Sequence, residues 1–214
     1  MTKSLDVLTL GSVVVLIALV VSGIAPFDRT TWWMEVAPVL IGFPVLWLMR
    51  RGRNYFEFTR LVYVLICVHA LVLILGGAYS YARVPLGFWM QDIFDLTRNP
   101  YDKIGHFMQG FVPAMVAREL MLRHKWVNGG RVASFVGICV ALSASLIYEL
   151  IEWFAAVMLG QGADEFLGTQ GDVWDTQSDM LFALMGAGIA IILLSAWHNR
   201  QIRQMTNWSR RGGW

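Results

Sequence analysis

Residues 132–159 read VASFVGICVALSASLIYELIEWFAAVML, an apolar run in which Glu149 and Glu152 are the only charged residues. A helix rising 1.5 Å per residue over this length exceeds the ~30 Å hydrocarbon core of a bilayer. The run therefore predicts a membrane-spanning helix with two acids near its far end. A carboxylate at the bilayer centre costs about 2.5 to 3.5 kcal/mol on insertion scales, so an acid kept in a spanning helix faces protein or water and has a role.

Five other stretches have comparable length and composition: residues 7–24, 32–49, 58–79, 103–122 and 176–197. With the first they predict an all-α polytopic membrane protein, a bundle of about six transmembrane helices forming one domain over residues 1–214. A hydrophobic content of 57%, a charged content of 15% and a mean hydropathy of +0.54 exclude an ordinary soluble enzyme or binding domain. Residues 7–24 follow Lys3 in the manner of a signal peptide, but Pro26 disfavours cleavage there, and the stretch is read as a helix. Cys67 and Cys139 lie inside apolar runs and imply neither a disulfide nor a cysteine metal site.

Charge sets the expected orientation. In a six-span layout thirteen of the 17 basic residues fall at one end, in Lys3, the Arg50–Arg53 turn with Arg60, the Arg118–Arg131 region and the tail from Arg200. Only Arg29, Arg83, Arg98 and Lys103 fall at the other. The positive-inside rule then makes both termini cytoplasmic. The basic loops read as this topology signal with anionic-lipid contact, and the absence of interleaved aromatic and basic residues excludes a nucleic-acid partner. Connections 80–102 and 160–175 fall outside, where long loops often carry function. In the first, Trp89, Met90, Ile93 and Phe94 recur at helical spacing after Pro85, predicting a short interfacial helix.

Acids and a histidine gather at this outer end. Asp102 and His106 are four apart and share a helix face, with Gly110 a turn deeper. Glu149 and Glu152 reach the same depth on the fifth span, and Asp172, Asp175 and Asp179 open the sixth at spacings of three and four. A histidine nitrogen with carboxylate oxygens suits zinc, iron or manganese, whereas carboxylates alone suit calcium or magnesium. Without a metal, crowded carboxylates would provide a general acid beside a general base. The competing structural reading makes Asp172 or Asp175 a cap of the sixth helix and Asp102 a cap of the fourth. Glu35 beside Trp32 and Trp33 is expected in the outer headgroup layer or, alternatively, in this cluster, His69 as a satisfied interior histidine, and His124 and His198 as solvated residues. The segment from His198 to Trp214 reads as a surface tail.

Three motifs, YDKIGHF over residues 101–107, YELIEW over 148–153 and GDVWDTQSDM over 171–180, resemble the YjdF-type bacterial inner-membrane proteins along nearly the whole chain. That resemblance implies a multi-pass protein of the bacterial inner (plasma) membrane and no particular reaction, since the family's function is unknown. A more distant likeness is to VanZ-like membrane proteins, whose Asp-Lys-x-x-His-like element matches Asp102, Lys103 and His106, whose later Glu matches Glu149, and whose Asp-x-x-x-Asn matches Asp175 with Asp179 in place of the amide.

The leading expectation is a metal-assisted hydrolase or transferase acting on a lipid or lipid-linked envelope substrate. Its divalent ion (zinc, manganese or magnesium) has Asp102, His106, Glu149 and Asp175 as candidate ligands, with Glu152 and Asp179 as candidate acid/base groups. The alternatives are a proton- or cation-coupled transporter and a non-catalytic scaffold. Single-cysteine labelling from outside the cell tests the orientation. A cysteine at Gly162 is expected to label and one at Gly52 to stay protected; the reverse pattern contradicts it.

Overall fold

The computed structural model describes residues 3–51, 55–159 and 170–210. These residues form seven helices: α1 (Lys3–Ile24), α2 (Arg29–Met49), α3 (Arg60–Tyr79), α4 (Pro85–Phe94), α5 (Tyr101–Arg123), α6 (Gly130–Leu159) and α7 (Asp175–Arg210). Five of them, α1, α2, α3, α6 and α7, are long and apolar enough to cross a membrane. The expected span 103–122 is present as α5, but Asp102, Lys103, Arg118, Glu119 and Arg123 make it too polar to face lipid.

The bundle answers that polarity by enclosing α5. It packs against α3, α6 and α7, and its charged residues Asp102, Lys103, Arg118 and Glu119 are buried. α1 and α2 pack on the outer side of α3, where Leu10, Leu16, Ile17 and Val20 of α1 remain exposed as a lipid-facing surface would require. Indole N–H groups tie these helices together. Trp47 Nε1 donates to Ser12 Oγ at 3.1 Å and Trp32 Nε1 to Ser22 Oγ at 3.0 Å.

Helix ends follow local chemistry. Asp28 caps α2 by accepting the Thr31 N–H at 2.7 Å, and this bond holds its carboxyl below the usual range. Thr59 caps α3, and Pro85 opens α4 as expected. α5 starts after Pro100 without a side-chain cap, so Asp102 is not the cap that the structural reading allowed.

The largest departure lies at the far end of α7. The expected span stopped at Trp197, yet the helix continues to Arg210, and His198 is fully buried rather than solvated. Its Nδ1 lies 2.9 Å from Arg118 Nη1 and its Nε2 lies 2.9 Å from Glu119 Oε2. A guanidinium can only donate, so Nδ1 accepts and Nε2–H donates to the carboxylate. Glu119 also accepts both the N–H and the hydroxyl of Thr59 at 2.8 Å, and Arg123 Nη1 at 3.1 Å. Arg118 completes its fork with Ser134 Oγ at 3.0 Å and Asn199 Oδ1 at 2.7 Å. Arg118 and Glu119 therefore lock α3, α5, α6 and α7 together, a role that counting Arg118 among the basic residues at one end does not reveal.

Close α5–α7 contact depends on two glycines. A Cβ on Gly110 would strike the Ala183 carbonyl, and one on Gly186 would strike that of Phe107. Gly188 of α7 has open space where its Cβ would lie. Gly110→Ala and Gly186→Ala are expected to lower stability by about 1 to 3 kcal/mol through overpacking. Gly188→Ala should be neutral or stabilising by up to about 1 kcal/mol from helix propensity. Thermal unfolding in detergent separates the two classes.

Candidate metal centre

α5 places the centre of the site because Asp102, Lys103, His106 and Gln109 occupy its first turns. Asp102 Oδ1 is 3.5 Å from His106 Nε2, the contact their four-residue spacing predicts. Asp179 Oδ1 on α7 is 3.8 Å from the same nitrogen. On the opposite side of the ring, Glu149 Oε1 on α6 lies 3.6 Å from Nδ1. Gln109 Oε1 lies 3.0 Å from Nδ1 and accepts from it when Nδ1 carries the proton; exchanging the amide's oxygen and nitrogen would make Gln109 the donor. One imidazole thus separates two groups able to hold a cation, Asp102 with Asp179 and Glu149 with Glu152.

Lys103 decides which of these is free. Its ammonium donates to Asp175 Oδ1 at 2.7 Å and to Asp179 Oδ1 at 2.6 Å, with Asp102 Oδ2 at 3.8 Å. Arg98 adds a second cation, donating to Asp175 Oδ1 at 2.7 Å and pairing with Asp172 Oδ2 at 3.0 Å. Asp172 also accepts the Trp174 N–H at 2.9 Å, a local turn leading into α7. The α7 acids are therefore already compensated. Glu149 is less so: it is 6% exposed, and among the described residues its buried Oε1 has no hydrogen-bond partner, only His106 Nδ1 at 3.6 Å.

Of the residues singled out in the sequence, Asp102, His106, Glu149, Glu152 and Asp179 come together around the ring, while Asp175 is turned toward Arg98 and Lys103. Glu35 is buried against α6 and joins the cluster, the alternative to a headgroup position, its Oε2 accepting the Tyr148 hydroxyl at 2.8 Å. With Tyr81, Asp102, His106, Gln109 and Glu152 it lines a cavity of about 20 Å³, room for a water molecule. Tyr148 and Gln109 carry a sequence signal, adjacent to Glu149 and three residues from His106; Tyr81 and Arg98 carry none. Asp164 and Glu165 of the second loop lie outside the described residues.

The rim is held by amides. Asn99, 1% exposed, donates its side-chain N–H to the Val84 carbonyl at 3.0 Å and accepts the Tyr101 N–H at 3.0 Å. The Gln170 side chain bonds both the N–H and the carbonyl of Asn99 at 3.0 Å. This latch fixes Arg98 between the start of α5 and the approach to α7.

Residues 7–200 match the family model described as predicted membrane protein (DUF2238). The chain belongs to this family. It is 50% identical over 206 residues to inner membrane protein YjdF of Escherichia coli (strain K12), covering 95% of this chain and 97% of that protein. No solved structure matches. Family membership and the apolar helices make this DUF2238 chain a multi-pass inner-membrane protein.

Removing Lys103 leaves Asp175 and Asp179 without their shared ammonium. Lys103→Met is expected to destabilise the protein by about 3 to 5 kcal/mol, as loss of one partner in a buried ion pair does. Adding Asp179→Asn should restore part of that loss. A thermal or denaturant double-mutant cycle measures the coupling, and strict additivity contradicts the pairing.

Proposed function

We propose that the pocket binds a divalent metal ion and uses it for hydrolysis or group transfer on a lipid or lipid-linked envelope substrate. The observation that carries this reading is Glu149 Oε1, a buried acceptor beside His106 Nδ1 that has no hydrogen bond among the described residues. Leaving such an oxygen desolvated and without a hydrogen bond is costly, and a cation between Glu149, Glu152 and Nδ1 would remove the cost, with Gln109 giving up its contact to Nδ1. Asp102 then accepts the Nε2–H on the far side of the ring, the carboxylate–histidine–metal arrangement that fixes a tautomer and raises ligand basicity.

The ligand set is accordingly His106, Glu149 and Glu152, with Asp102 orienting the ring and Asp175 left to Arg98 and Lys103. Asp179, beside Nε2 and Lys103, keeps the acid/base role expected of it. One nitrogen with two carboxylates favours zinc or manganese over magnesium. Such an ion lowers the pKa of a bound water and polarises a phosphoryl or carbonyl oxygen. The lipid class of substrate is supported by the pocket's surroundings: Trp153 and Phe154 of α6, next to the cavity-lining Glu152, are exposed.

The alternatives fit less well. A scaffold whose acids serve only packing needs those acids hydrogen-bonded, and among the described residues Glu149 Oε1 has no such bond. A transporter needs a polar path to the other end of the bundle. Buried Ala114, Met115, Ala141 and Ala187 stand in that path, and the satisfied Arg118–His198–Glu119 network lies beyond them.

Metal analysis of gently purified protein tests the proposal. Wild type is expected to retain a stoichiometric ion, Glu149→Gln to lose it while staying folded, and Asp175→Asn to keep it. A metal-free wild type with a more stable Glu149→Gln variant returns the cluster to helix packing.

A further inference from the structure

A second polar layer lies one helical turn below the carboxylates. On α5, Gln109 lies three residues past His106 and lines the cavity. Pro113 has no N–H to give the carbonyl of Gln109, its i−4 neighbour, so a main-chain acceptor is freed at the same level. On α6, Ser145 precedes Glu149 by four residues and shares its face. It is 1% exposed, and its hydroxyl has no partner.

α3 contributes the third group. His69 precedes Leu73, a cavity-lining residue, by one turn, and its buried Nε2 has no partner, against the expectation of a satisfied histidine. Helix register puts it opposite Gln109. Thr59 bonds Glu119 across the antiparallel α3–α5 pair, and His69 is as far along α3 from Thr59 as Gln109 is back along α5 from Glu119. Leu73 and Gly105, both at the cavity, keep the same register.

Among the described residues, buried side-chain atoms without a hydrogen bond on α3 and α6, with the α5 carbonyl freed by Pro113 at the same depth and a cavity with room for water above them, have one common physical remedy. Buried water satisfies polar groups that the protein leaves open. We propose that Gln109, Ser145 and His69 line a water-filled inlet, entered from the carboxylate pocket and ending blind at the apolar layer around Met115. The ligand of this layer is water, and the inlet lets small hydrophilic cations reach His69 from the pocket end alone. It depends on the cavity and not on the bound metal, so a failure of either leaves the other standing.

Silver ions, small and thiol-reactive, test the inlet in chloride-free buffer. In a background lacking Cys67 and Cys139, Ser145→Cys and His69→Cys are placed in sealed vesicles. Controls are Asp95→Cys at the pocket end, Lys125→Cys at the opposite end and Met115→Cys in the apolar layer. The readout is protection of the thiol from alkylation after unfolding. Either inlet cysteine is expected to react from the Asp95 side within about tenfold of that control. It should react at least about a hundredfold faster than Met115→Cys, whose exposure requires local opening. The inlet is overturned if both are as slow as Met115→Cys, if they react only from the Lys125 side, or if they react equally from both. Ser145→Cys keeps the outcome readable where His69→Cys fails to fold.

Discussion

α5 cannot face lipid, and the rest of the bundle follows from that. Its Asp102, Lys103, Arg118 and Glu119 would each cost several kcal/mol in hydrocarbon, so the more apolar α3, α6 and α7 surround it and supply partners at its two ends. Close packing of the α5–α7 pair needs Gly110 and Gly186, whose missing side chains let the backbones approach. The apolar α1 and α2 complete the outer layer beside α3.

The two ends of α5 solve the same electrostatic problem differently. At the basic end every oxygen of Glu119 is bonded, and the Arg118 fork and both His198 nitrogens have partners, a closed network that holds four elements together. At the other end acids are in excess. Arg98 and Lys103 compensate Asp172, Asp175 and Asp179, while Glu35, Asp102, Glu149 and Glu152 crowd around His106 and the cavity. A network with satisfied groups rigidifies, whereas one with an open acceptor marks a place for something else to bind. That contrast is why the proposed metal site is the pocket and not the Glu119 cluster.

Much of this was legible in the sequence, because helix rise and helix face are local properties. The depth of Glu149, the Asp102–His106 pair and the start of α4 after Pro85 all follow from spacing. What failed were judgements about partners remote in sequence. Arg98 counted only as a charge on one side of the membrane, yet it ion-pairs with Asp175, one of the expected metal ligands. His198 looked like the beginning of a tail because hydropathy falls there, but Arg118 and Glu119 on another helix make its burial favourable. Polar residues near helix ends are ambiguous until the neighbouring helix is known, and no pattern along one helix resolves them.

The central claim is that His106 holds a cation through Nδ1 with Glu149 and Glu152. An anomalous difference map from crystals grown with zinc or manganese, collected at the metal's absorption edge, tests it most directly. The account predicts one strong peak within coordination distance of His106 Nδ1, Glu149 and Glu152, with Lys103 still bonded to Asp175 and Asp179. No peak in the pocket, or one on the Asp102–Asp179 side with Lys103 displaced, contradicts it.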